Sequence, residues 1–192
     1  MKFFNSVVPS ITTMIRMDHT HVLSIFHKYK MHDDPETKRG LVNSACIALE
    51  IHAQLEEEIF YPAMRGGPVD TALVEKSIPE HDEMKRLIAD LQRMEPTDLG
   101  YDQTFMELMR DVIHHVADEE TTLLPDAERL IPERLSELGA QMTKRRIELL
   151  KPRAGELAAN TAKGMPKTTV LLAASAVVAG SYAMRRVMRR QA

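Results

Sequence analysis

The sequence has no tryptophan, a single cysteine and few aromatic residues, only 5% of its 192 positions. Cys46 cannot form an internal disulfide and belongs to no CxxC motif, which excludes a disulfide scaffold and a thiolate-rich metal cluster. The net charge of −3 excludes the basic excess typical of nucleic-acid-binding domains, so we expect no nucleic-acid partner. The first residues lack the pattern of a secretory leader, and we predict a cytoplasmic protein.

Helix-forming residues are abundant instead, including 13 methionines and many leucines, alanines and glutamates. Apolar residues recur with helical spacing in four long segments, which are separated by short polar or Pro/Gly-containing turns. Long amphipathic helices joined by short loops pack as antiparallel neighbours, so the sequence predicts an all-α, up-down four-helix bundle. The four segments are residues 10–31, 36–64, 70–94 and 101–130.

The chain beyond the bundle differs in composition, and we predict four regions. They are the four-helix bundle (1–130), an accessory helix (131–151), a linker (152–167) and an apolar tail helix with a basic end (168–192). Residues 168–184 carry no charge and are followed by four arginines, so a membrane tail anchor on the inner face is one reading. Two other readings of this segment stay open: a helix that packs on the bundle or in a homo-oligomer, and a flexible tail.

A duplicated motif carries the chemistry. His52 is followed four residues later by Glu56, and His115 is followed four residues later by Glu119. In both copies a proline comes ten residues after the histidine. A histidine and a glutamate four apart lie one turn from each other on the same helix face, so both can reach one ion.

Each copy is preceded by an acid–histidine pair, Asp18-His19 or Glu80-His81, 33 or 34 residues upstream of the motif histidine. Because the chain descends one helix and climbs the next with the same rise per residue, His19 and His52 are expected at the same depth of the bundle. The same holds for His81 and His115 in the second copy. A lone core histidine or a lone His–Glu pair is usually structural. Six such side chains buried in one layer without a cation would be costly, so we predict that they bind metal.

Imidazole and carboxylate without thiolate suit iron, manganese or zinc. Carboxylates that bridge two ions are the usual feature of dinuclear sites in helix bundles, and two ions with four histidines favour iron. The predicted cofactor is therefore two Fe ions in an oxo- or hydroxo-bridged centre. The predicted ligands are His19, His52, Glu56, His81, His115 and Glu119. An additional ligand stays open among Tyr29, Tyr61 and His114.

This pattern resembles the hemerythrin family, and specifically its HHE cation-binding domains, over about residues 12–125. The resemblance implies the same six ligands, in the same order along four helices. Two positions depart from oxygen-carrying hemerythrins. Lys85 stands where they have a second histidine on the third helix, and Glu119 stands where they have an aspartate. With one histidine fewer, easily reversible oxygen carriage is not expected.

The resemblance thus implies a di-iron protein that binds, senses or buffers a small ligand (oxygen, nitric oxide or peroxide) or iron. Two alternatives stay open. The first is a di-iron enzyme that removes peroxide or nitric oxide, for which the sequence offers no obvious proton donor. The second is a membrane-attached structural bundle in which the metal only stabilises the fold.

Overall fold

The computed structural model describes residues 8–65 and 72–164, and every regular element in these residues is helical. The all-α class predicted from the sequence is confirmed. The α-helices are α1 (Ile11–Lys28), α2 (Pro35–Leu55), α3 (Tyr61–Arg65), α4 (Ala72–Arg93), α5 (Tyr101–Asp118), α6 (Leu124–Leu130), α7 (Leu135–Leu150) and α8 (Ala154–Lys163).

The helix starts follow from local capping. The Ser10 hydroxyl accepts a hydrogen bond from the backbone N–H of Thr13 at 3.2 Å, at the start of α1. The Asp34 carboxylate accepts from two N–H groups in the first turn of α2, where Pro35 takes the first position and needs no partner for its nitrogen. These two caps fix where the first bundle helices begin.

Four helices form the bundle. α1 packs against α2 and α5, and α4 packs against the same two helices, which closes the ring. The buried apolar side chains form two separate clusters, one around Ile15, Leu55 and Leu124 and the other around Phe26 and Phe105. The predicted ligands lie in the layer between these clusters, so a polar layer divides the core.

Two π-helical segments, Glu56–Phe60 and Glu119–Leu123, interrupt long helices at equivalent places. The first joins α2 to α3 and the second joins α5 to α6, without a break in the chain direction. Each segment begins at a predicted metal-ligating glutamate, and each precedes a proline, which cannot donate the next helical hydrogen bond. Such widened turns are frequent at functional sites.

An extra helix after the bundle is also present. α7 packs on α1 and α2. The predicted linker at residues 152–167 is wrong over most of its length, because α8 forms there and packs along α2. Alanine-rich sequence favours a helix, and Gly40 of α2 permits the approach, since a Cβ there would lie 2.8 Å from the Asn160 carbonyl oxygen. The predicted tail helix lies outside the described residues. Within those residues, no helix combines the length and apolarity needed to cross a bilayer.

Candidate metal centre

All six predicted ligands converge inside the bundle. α1 contributes His19, α2 contributes His52, and α4 and α5 contribute His81 and His115. The two glutamates are the first residues of the two π-helical segments. None of the six side chains belongs to a residue more than 3% exposed. The duplicated motif therefore places its histidines and carboxylates in one buried layer.

The donor atoms form two groups, in each of which the atoms lie within 4.8 Å of one another. Glu56 belongs to both groups. Its Oε2 lies 3.1 Å from His52 Nε2 and 3.4 Å from His81 Nε2. The first group consists of His19, His52, Glu56 and Glu119, and the second of Glu56, His81 and His115.

The arrangement leaves five buried polar atoms of the first group without hydrogen-bond partners. They lie on all four residues of the first group: on both ring nitrogens of one histidine, on one ring nitrogen of the other, and on one oxygen of each glutamate. An ion bound among these residues would satisfy the histidine Nε2 and carboxylate atoms, while His52 Nδ1 lies on the outer side of its ring, toward Asp18. Orphaned buried donors and acceptors of this kind cost about 1–3 kcal/mol each. The unsatisfied atoms are His19 Nε2, His52 Nδ1, His52 Nε2, Glu56 Oε1 and Glu119 Oε2. The residues fit a cation that prefers nitrogen and oxygen donors.

Each histidine also meets a second carboxylate through its outer nitrogen, Nδ1. Three of these contacts have hydrogen-bond length, 2.9–3.0 Å, and the fourth, between His52 Nδ1 and Asp18 Oδ2, is 3.6 Å. A carboxylate on the outer nitrogen fixes the ring orientation and leaves Nε2 free to bind metal. The pairs are His19–Glu120, His52–Asp18, His81–Glu57 and His115–Glu80.

These outer carboxylates repeat with the motif, so the centre has an approximate twofold relation. The acid before the first histidine of each copy contacts the second histidine of that copy: Asp18 contacts His52, and Glu80 contacts His115. The acid after each glutamate contacts the first histidine of the other copy. These pairs are Glu57 with His81 and Glu120 with His19. The sequence pattern included Asp18 and Glu80 but not Glu57 and Glu120, and only the helix packing shows which ring each acid contacts.

Electrostatics of the site favour an ionised Glu56 carboxylate beside a protonated His115 ring, because each group shifts the pKa of the other. Burial alone raises the pKa of Glu56, but His52, His115 and His81 outweigh it and hold that pKa well below its usual value. Burial lowers the pKa of His115, yet Glu56 and Glu80 raise it overall to about 10. A metal ion that binds here would displace protons from the rings and take over their pairing with the carboxylates.

Tyr61 is a site residue that the sequence left open. Its buried hydroxyl donates to Glu119 Oε1 at 2.9 Å and lies 3.3 Å from both Glu56 Oε2 and His81 Nε2. Burial and the two carboxylates raise its pKa, which favours the protonated phenol. Its position, five residues after Glu56 at the end of the π-helical segment, was the available signal.

The other open candidates lie away from the site. Tyr29 belongs to the second apolar cluster, and its hydroxyl donates a hydrogen bond to Asp102. The His114 side chain is exposed. The Lys85 side chain is 43% exposed and donates to Glu57 at 2.7 Å, so it contacts the ring of His81 only through that carboxylate.

Comparison with known proteins agrees with this geometry. Residues 10–127 match the model of the hemerythrin HHE cation-binding domain, which is more than half of the chain. The chain belongs to the hemerythrin HHE family. The family and the buried histidine–glutamate clusters together indicate a metal-ion-binding site.

Two relatives extend the comparison. A hemerythrin HHE cation-binding-domain protein from Mycobacterium kansasii has a solved structure with a TM-score of 0.62 to this chain at 20% identity, covering 80% of this chain and 98% of that one. A protein of Nostoc sp. (strain PCC 7120) described as a DNA nickase is 32% identical over 116 residues, which are 59% of this chain. The match covers 32% of the Nostoc protein.

Proposed function

We propose that the chain is a non-haem di-iron protein that binds, senses or buffers a small oxidant, namely oxygen, nitric oxide or peroxide, or iron itself. The observation that supports this most is Glu56, whose carboxylate belongs to both donor groups. A carboxylate shared by two groups suits two ions about 3.5–4 Å apart. The six ligands would be those predicted from the sequence.

The donor set favours iron chemistry at such a pair. The second group has three donor residues and the first has four, so the second would have more room for a small ligand. The ions would supply reversible binding or redox chemistry toward that ligand. The protein side chains would exclude bulk water, orient the rings through the outer carboxylates and hold a proton at Tyr61 Oη.

That proton gives a specific reason to keep a second candidate, an enzyme that removes peroxide or nitric oxide. Reduction of peroxide needs a proton donor next to the reacting oxygen atoms. The Tyr61 hydroxyl is buried and lies within 3.3 Å of groups on both sides of the centre. The sequence alone offered no obvious proton donor, and the Tyr61 hydroxyl would fill that role.

Metal analysis of the purified full-length chain tests the proposal. We expect about two irons per chain, as a dinuclear carboxylate-bridged site requires, together with the optical bands of a bridged ferric pair. A chain that holds one iron, or zinc in its place after reconstitution with both metals, would contradict the di-iron proposal. His114→Ala is the matched control for the replacement of a ligand histidine, because the His114 side chain is exposed although it is adjacent to His115. We expect this variant to keep its iron.

The same preparation separates binding from catalysis. A spectrum that bleaches on reduction and recovers with oxygen, without repeated consumption of peroxide, supports a binding protein. Many turnovers of peroxide per chain that fall sharply in Tyr61→Phe support the enzyme.

Membrane attachment through residues 168–184 remains a prediction. A truncation after Met165 should move the protein from the membrane fraction to the supernatant. If the full-length chain is already in the supernatant, the tail-anchor hypothesis is wrong.

A further inference from the structure

α7 lies beyond the family-matched residues 10–127, yet it reaches the metal centre. Gly139 allows its close approach to the start of α1, since a Cβ there would lie only 2.2 Å from the Pro9 carbonyl oxygen. Arg146 follows Gly139 by seven residues, about two turns, and therefore lies on the same face of α7. The helix is thus held against α1 with this arginine turned toward the bundle.

Arg146 forms a bidentate ion pair with Asp18, in which each terminal nitrogen of the guanidinium donates a hydrogen bond to one carboxylate oxygen. The two N–H···O distances are 2.6 Å to Oδ1 and 2.5 Å to Oδ2. Both side chains are largely buried, at 24% and 18% exposed. Asp18 Oδ2 in turn lies 3.6 Å from His52 Nδ1, on the outer side of the ring. A planar fork of this kind fixes the carboxylate orientation as well as its charge.

The other three outer carboxylates are held differently. Lys85 donates to Glu57, and Lys76 lies 3.3 Å from Glu80, each through a single exposed ammonium group. Among the residues that the structure describes, no arginine makes a two-pronged contact with Glu120. Among the four, Asp18 alone has both oxygens fixed by one cation, and its contact with the histidine is the longest.

We propose that Arg146 is a positioning residue for the metal centre, which sets the orientation of Asp18 and through it that of the His52 ring. The affinity of the first donor group for its ion would then depend on α7. This inference rests on the proposed metal-binding function and deepens it. Loss of outer partners of metal-bound histidines typically weakens metal binding by about 10–100-fold.

Titration of the full-length, metal-free protein with Co²⁺, followed by its visible absorption, tests the proposal without any activity assay. In Arg146→Gln we expect one of the two binding steps to weaken by about tenfold, the lower end of that range, and the other to stay near its original value. Arg146→Lys should recover part of the loss, because it keeps a charged donor but not the fork.

The matched control is Arg145→Gln. Arg145 is the adjacent residue of α7 and makes a similar fork to Glu58, at 2.7 and 3.1 Å. Within residues 8–65 and 72–164, Glu58 contacts no histidine. We expect both of its binding steps to match the unsubstituted protein. The effect of Arg146→Gln should also disappear in an Asp18→Asn background, because the arginine is proposed to act through that carboxylate.

Three results would overturn the inference: unchanged binding in Arg146→Gln, an equal loss in Arg145→Gln, or a loss that persists in the Asp18→Asn background. If Arg146→Gln does not fold, Arg146→Lys decides, and unchanged binding in that folded variant would count against the proposal. Failure of the unsubstituted protein to bind Co²⁺ or iron would instead refute the proposed function, and this inference with it.

Discussion

The two halves of the bundle, α1–α3 and α4–α6, contain the same ligand pattern in different surroundings. Each half supplies two histidines, a glutamate at the start of a π-helical segment and two outer carboxylates. Five residues after the glutamate, however, the first half has Tyr61 and the second has Leu124. The pattern of candidate ligands is therefore repeated, while the buried hydroxyl belongs to one half.

The halves also differ in what supports them from outside. Asp18 of the first half is held by Arg146 of α7, whereas Glu80 of the second half is met by Lys76 one turn earlier on its own helix. Glu56 lies in both donor groups, while Glu119 lies in one. The comparison shows that two copies of one motif can form two donor groups that differ in composition and in the residues that support them.

The two glutamates should give the largest difference. We expect Glu56→Ala to lose both ions, because its carboxylate belongs to both groups, and Glu119→Ala to keep one. Metal at a hundred times its dissociation constant stabilises a folded protein by about 3 kcal/mol, so added metal should raise the melting temperature of the second variant but not of the first. Metal content and thermal unfolding measure this. Equal metal loss in both variants would show that the glutamates are equivalent bridges.

The paired histidines should give the next largest effect. His52→Ala and His115→Ala should each lose mainly one ion, since the two rings belong to different groups. His114→Ala should retain full metal content, because its ring is exposed. Metal analysis after dialysis checks this, and loss of both ions from either variant would mean that the two positions fill only together.

The tyrosine should have a moderate effect. Tyr61→Phe removes the donor to Glu119 while keeping the ring, and we expect the free energy of unfolding of the metal-free protein to fall by about 1 kcal/mol. Leu124→Met, a change of similar volume at the equivalent position, is the control for packing. Urea denaturation gives both values. An unchanged unfolding midpoint in Tyr61→Phe would show that the hydroxyl makes no net contribution.

The exposed lysines should have the smallest effect. Lys85→Gln and Lys76→Gln each remove one ammonium group from an outer carboxylate, and exposed ion pairs of this kind contribute up to about 1 kcal/mol. We expect Co²⁺ affinity in both to change less than in Arg146→Gln. A larger loss in Lys85→Gln would mean that this lysine, at the position of the missing histidine, supports the second group directly.

The sequence determined the bundle and its six candidate ligands. Helical periodicity and turn residues fix the number of bundle helices, because each amphipathic segment must bury one face against the others. The His-x-x-x-Glu spacing fixes which side chains share a helix face, and the repeat fixes their depth. The proximity of His52 to Glu56, and of His115 to Glu119, was therefore predictable from local geometry alone.

Only the tertiary structure decided which residues contact one another across the bundle. The pairing of Asp18 with His52, rather than with the adjacent His19, depends on how α1 and α2 pack, and Arg146 lies 128 positions away in sequence. The composition of residues 152–167 resembled a linker, but packing on α2 stabilises a helix there. Helical periodicity is a local property, whereas the hydrogen bonds and charges around each ring depend on helix rotation, which packing alone fixes.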